Sequence, residues 1–141
     1  MKNLTAIALF VAAGIATAGS ALAQEHKVTA NVPFNFTVDG HTLPAGNYTI
    51  GNEAKSPMVL TIADREKGVA VMAISVPDDN ASADNKLIFH RYGNQYFLSE
   101  IRTANETMTC HLPTSKREKW ARSQAQEASV RVNSDVLIAL K

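Results

Sequence analysis

From Val28 to Val38 every even position is apolar (Val28, Ala30, Val32, Phe34, Phe36, Val38), while the odd ones read Thr29, Asn31, Pro33, Asn35, Thr37. Unbroken period-two alternation puts all the apolar side chains on one face of an extended chain, the pattern of a strand buried on one side. A helix would scatter the same residues around its circumference. Pro33 has no N–H to offer a neighbouring strand. The run is therefore one long edge strand kinked at Pro33, or two strand segments that bend there.

The following residues supply turns. Asp39-Gly40 suits a two-residue type I′ hairpin, whose central positions both need positive φ. With those two residues as the loop, Phe36 lies opposite Leu43 on a shared face. Leu43-Pro44-Ala45-Gly46 then leads into Asn47–Asn52, where Tyr48 and Ile50 alternate with polar neighbours. Met58–Ala63 and Val69–Val76 flank the charged connector Asp64-Arg65-Glu66-Lys67-Gly68, a hairpin loop ending in glycine. Val69–Val76 is apolar on both faces, which predicts a central strand. Pro77–Asn85 is polar and rich in breakers, and reads as a loop.

Gly93-Asn94 is a second two-residue hairpin signal, between Lys86–Tyr92 and Gln95–Thr103. Its register sets Phe89 opposite Leu98 and Arg91 opposite Tyr96. One face then carries Leu87, Phe89, Tyr96 and Leu98, and the reverse face carries Ile88, Phe97 and Ile101. Ser115 with Glu118 three residues later forms a capping box just after Pro113, which predicts one helix over about residues 115–128. Trp120 is its only large apolar side chain and is expected to pin it to the sheet. Val130–Val132 and Val136–Leu140 close the chain as further strands. The expected fold is an antiparallel β-sandwich or flattened barrel of about seven to nine strands with one short helix near the C-terminal end.

The first 23 residues do not belong to that fold. Lys2 is a positive n-region, Leu4–Ala18 is apolar, and Ala21-Leu22-Ala23 matches the small-x-small cleavage pattern of a secretory signal peptide. The apolar run is shorter than the roughly 20 residues of a spanning helix and is interrupted by Thr5, Gly14 and Thr17. Removing 23 of 141 residues leaves a single all-β domain, residues 24–141, secreted or periplasmic and monomeric, with no stable membrane insertion after cleavage. Of 14 basic and 13 acidic residues, one basic residue, Lys2, departs with the signal, so the remainder is neutral. A neutral chain has no long-range attraction for nucleic acid.

Motifs of chemistry are sparse. His26, His41, His90 and His111 form no H-E-x-x-H pattern or paired ligand spacing. Cys110 and His111 are neighbours on a strand and so point to opposite faces. No serine lies in G-x-S-x-G. Asp78-Asp79-Asn80-Ala81-Ser82-Ala83-Asp84 lacks the glycine and terminal glutamate of a calcium loop. Lys116, Arg117, Lys119 and Arg122 form the only basic cluster, diluted by Glu118 and Glu127, and read as a solvated helix face. Asn-x-Ser/Thr triplets begin at Asn35, Asn47, Asn80 and Asn105, the first two within expected strands. Cys110 is the only cysteine and falls on the apolar phase with Met108 and Leu112, which predicts a buried, inert thiol. No catalytic, cofactor-binding or metal-binding residue is assigned.

Val32-Pro33-Phe34-Asn35-Phe36-Thr37-Val38, Leu43-Pro44-Ala45-Gly46-Asn47-Tyr48-Thr49-Ile50 and Leu112-Pro113-Thr114-Ser115-Lys116-Arg117-Glu118 occur in this order. Together with Tyr96-Phe97-Leu98 and Ile101 they resemble a family of small exported bacterial proteins of unknown function. Those share V-P-F-x-F-x-V, L-P-A-G-x-Y-x-V and L-P-x-S-x-x-E segments. The resemblance implies export and a β fold but brings no site residues. The leading expectation is a non-catalytic structural or binding module with a glycan or protein partner. The alternatives are a small barrel carrying an apolar ligand and an enzyme built on loop residues.

Overall fold

Pro33 is where the chain leaves one sheet for another. The computed structural model describes residues 26–53, 56–79, 83–104, 108–128 and 134–141; the expected signal peptide and the Val130–Val132 strand lie outside them. Strand β1 (His26–Val32) ends just before Pro33, and β2 (Phe36–Val38) begins three residues later in the other sheet. Ala30, Val32, Phe36 and Val38 are buried throughout the crossing, so the alternation survives the bend. Asn35 sits between the two strands rather than within one, and its Oδ1 accepts the Ala45 N–H at 3.0 Å. Asp39 and Gly40 have φ of 45° and 81°, and Phe36 pairs with Leu43 of β3 (His41–Leu43) as the turn requires.

The first sheet has the order β1-β4-β5-β6, with β4 (Gly46–Glu53), β5 (Ser56–Asp64) and β6 (Val69–Ile74) all antiparallel. The second contains β7 (Val76–Pro77), β8 (Lys86–Tyr92), β9 (Gln95–Arg102), β10 (Cys110–His111) and β11 (Ser134–Ala139), in the order β11-β8-β9-β10-β7. Strand β2 joins it through one parallel pairing, Thr37 with Phe97. The expected Val69–Val76 strand is split at Ser75, which passes the chain from β6 to β7 and so from one sheet to the other. On the opposite side Thr29 and Lys141 exchange both backbone bonds, at 3.0 and 2.8 Å. The chain crossing at Ser75 and the backbone pair Thr29–Lys141 thus join the two sheets into a β-sandwich or flattened barrel.

Three expectations are corrected. Strand β6 ends its sheet instead of lying inside it: Val69, Val71 and Ala73 turn inward, while Met72 and Ile74 are 67 % and 63 % exposed. Ile101 belongs to the main core, not to the reverse face. Phe89 pairs with Leu98 as predicted, but Ile88 pairs with Glu100, so Ser99 is an extra residue that reverses the parity beyond it. Trp120 does not anchor the helix, because it is 60 % exposed.

Helix α1 (Lys116–Glu127) has the predicted ends, with Ser115 Oγ accepting the Glu118 N–H at 3.2 Å and Ala128 as C-cap. It turns Ala121, Ala125 and Glu118 towards the sheet. The two alanines pack with Tyr92 and Phe97 in a small cluster outside the barrel. Inside, Tyr48, Phe89, Leu43, Ile50, Leu60, Ile62, Leu87 and Ile101 form the main core. Phe36 meets Tyr48 and Phe89 edge-on at 5.1 and 5.4 Å, an arrangement aromatic rings favour.

Candidate functional site

A groove lies along the seam between β1 and β11. It opens beside the Thr29–Lys141 backbone pair, which lies just past the end of β11, and has a volume of about 550 Å³. Its rim carries Thr29, Asn31, Asn47 and Lys141 with Pro33, Leu137 and Ala139, and its floor reaches Ala30, Tyr48 and Ile138. Asn31 Nδ2 donates to Asn47 Oδ1 at 2.6 Å. This bond leaves the Asn31 carbonyl, one Asn31 N–H and both Asn47 N–H groups available to a ligand at the groove. Leu137 is 57 % exposed beside them. This is the one place among the described grooves where paired amides adjoin an uncovered apolar side chain.

A second groove of about 260 Å³ crosses the outer face of the first sheet. Lys27, Gly51 and Thr61 are cross-strand neighbours there, as are Thr49 and Ala63, with Arg65 at the end. A Cβ on Gly51 would lie 3.1 Å from Lys27 Cγ, so the glycine lets the lysine stem lie across the strand.

Beneath the turn after β5, Asp64 is buried; its Oδ1 accepts the N–H groups of Glu66 and Lys67 at 2.9 and 3.2 Å. Among the described residues its Oδ2 has no hydrogen-bond partner, and it lies against Gly46. Lys67 Nζ donates to the Ala45 carbonyl, and the Tyr48 hydroxyl donates to the Pro44 carbonyl at 2.5 Å. The Pro-Ala-Gly-x-Tyr turn is thereby tied to the β5–β6 loop. Burial, then the nearby Asp64 charge, pushes the Tyr48 phenol above its usual value.

Under the helix Glu118 Oε1 lies 2.8 Å from His90 Nδ1 and accepts the Tyr92 hydroxyl at 3.4 Å. Burial raises the Tyr92 phenol, Glu118 raises it further, and Arg122 opposes them. This cluster escaped the sequence reading. The capping box located Glu118, but only the fold shows that its carboxylate reaches β8. A carboxylate that orients an imidazole is one part of a general-base arrangement.

The residues singled out in the sequence are dispersed. His26 begins β1, His41 is exposed on β3, and His111 is exposed on β10 while its neighbour Cys110 is buried. Burial pushes the Cys110 thiol up, with a Ser75 hydrogen bond acting the other way. The Asp78 N–H donates to the Thr109 carbonyl, Asp84 lies 4.0 Å from Lys86, and residues 80–82 between them are outside the described set. Lys116, Arg117, Lys119 and Arg122 are exposed along the helix, as expected. Among the described residues no three His, Cys, Asp or Glu side chains converge as metal ligands. Asn80 and Asn105 fall outside the described residues.

Comparison of the chain with family models, with curated proteins and with solved structures finds no match.

Proposed function

We propose that the protein is an exported, non-catalytic binding module, akin to the small bacterial proteins its motifs resemble, and that it holds a neutral oligosaccharide in the seam groove. The observation that carries this reading is the Asn31–Asn47 amide pair beside exposed Leu137. A sugar ring presents hydroxyls at its edge and C–H groups on its faces. The paired amides suit the first, and Leu137 with Pro33 suits the second. The groove volume lies within the usual range of small-ligand sites, about 300–1,000 Å³. The packed core weighs against a carrier that encloses an apolar ligand.

Calorimetric titration with neutral and acidic oligosaccharides tests the proposal. Binding of a neutral member is expected, weakened about tenfold by Asn47→Ala, the cost of one or two lost hydrogen bonds. Leu137→Arg should weaken it as well. Absence of binding across the panel, or binding that both variants leave intact, would overturn the groove assignment. Export is tested separately: protein recovered from the periplasm or medium should begin at Gln24, and an intact Met1 there would refute it.

The Glu118–His90 pair favours a second reading, a hydrolytic enzyme using His90 as base. A turnover screen in which activity disappears with His90→Gln would support it. Activity unchanged by that substitution would remove it.

A further inference from the structure

Strand edges distinguish this barrel, and one of them is unprotected. Natural sheets blunt their edges with charge, proline, bulges or short strands, because unpaired N–H and C=O groups recruit other strands. On the seam side, β1 carries Lys27 and runs into Pro33, and β11 carries Asp135. Strand β3 is three residues long and is followed by Pro44. Strand β6 has none of these devices. Its sequence, Val-Ala-Val-Met-Ala-Ile, contains neither charge nor proline, and among the described residues it pairs only with β5.

The register shows which groups are available. The Ser75 N–H donates to the Met58 carbonyl at 2.8 Å, so in an antiparallel ladder the groups of Val69, Val71 and Ala73 also face β5. Those of Ala70, Met72 and Ile74 face away from β5. The same three side chains lie on the outer surface, where Met72 and Ile74 are the two most exposed large apolar residues.

We infer that β6 is a homodimer edge, on which a second copy of this chain pairs antiparallel about a twofold axis through Met72. This departs from the monomer expected from the sequence. Pairing at Met72 sets Met72 opposite its own copy and Ala70 opposite Ile74 of the other, so two flexible methionines meet on the axis and a small side chain meets a large one on either side. An uncharged strand meets its copy without repulsion, and the near-neutral chain adds little at longer range. The twofold arrangement uses the same edge on both copies, so it closes at two and does not grow into a filament. The four-stranded sheet becomes eight-stranded across the pair. Six paired residues per copy fall well short of the roughly 20–30 per side of a standard interface, which sets a weak, concentration-dependent dimer.

Sedimentation of the purified protein from about 1 µM to about 1 mM, the span in which such small interfaces dissociate, should show a monomer–dimer equilibrium. Met72→Lys places two like charges opposite each other and should weaken the dimer at least about tenfold. Trp120→Lys, on the helix, should leave it unchanged, and circular dichroism of both variants should match the parent. Oxidation of Met72→Cys should give a disulfide-linked dimer, since paired Cα atoms about 5.5 Å apart can be bridged. Ala70→Cys alone should not, because its copies lie about 14 Å apart along the strands, whereas Ala70→Cys with Ile74→Cys should. A monomer at every concentration, a dimer that Met72→Lys does not weaken, or equal cross-linking from Ala70→Cys would each overturn the inference.

Discussion

Asp64 Oδ2 occupies the space that a side chain at Gly46 would need. The glycine of the Pro-Ala-Gly-x-Tyr turn is required by this contact and not by its backbone angle, since it is absent from the residues with positive φ. One carboxylate therefore organises two turns, capping Glu66 and Lys67 on one side and seating Gly46 on the other.

Gly46→Ala should cost about 1–3 kcal/mol, the usual penalty of overpacking. In an Asp64→Ala background the obstructing oxygen is gone, and the same change should cost at least about 0.5 kcal/mol less, as residues in contact couple. A double-mutant cycle by denaturant unfolding measures this. Additive costs would show that the turns are not joined through this contact.

The helix is held by its small side chains. Trp120→Ala should change stability by less than about 0.5 kcal/mol, as at most exposed sites. Ala121→Leu should cost about 1–3 kcal/mol by overpacking against Tyr92 and Phe97. Hydrogen exchange over residues 116–127 reads whether the loss is local. A large effect of Trp120→Ala would restore the tryptophan as anchor.

Two tyrosines predict alkaline instability. Burial is the first cause of the raised pKa at both Tyr48 and Tyr92, with Asp64 and Glu118 adding to it respectively. A folded value above the unfolded value near 10 means that the native state holds the phenolic proton more tightly. Their contribution is therefore complete below pH 10 and is lost as pH rises through the folded values. Absorbance of tyrosinate should rise together with unfolding measured by circular dichroism. Full ionisation of the tyrosines in a still-folded chain would contradict this.

Cys110 should react slowly with a bulky disulfide reagent in the native protein and at once in denaturant, since burial both shields the thiol and disfavours thiolate. Rapid native labelling would place the sulfur at the surface.

The hairpin registers at Asp39-Gly40 and Gly93-Asn94 were legible because a two-residue turn fixes pairing locally. The helix start was legible because the capping pair of Ser115 and Glu118 is likewise local. Ile101 was misplaced because a single bulged residue at Ser99 inverts parity, and no residue type marks it. Trp120 was misread because size alone suggested an anchor, whereas close approach of helix to sheet selects alanine. The seam groove could not be read from sequence at all: its walls come from opposite ends of the described chain. Glu118 was visible as a cap, but its bond to His90 depends on how the helix lies across β8.

The closing bond between Thr29 and Lys141 spans 112 positions of sequence, and the parallel pairing of Thr37 with Phe97 spans most of the chain's middle. Such contacts cannot form until long loops have been gathered, so their entropy must be spent before any reward from closure arrives. Folding should therefore be slow, in the millisecond-to-second range of chains dominated by non-local pairing. During that interval the local hairpins exist with their core faces still wet. Stopped-flow refolding should therefore show the long-range closure as the slow phase, after the hairpins have formed.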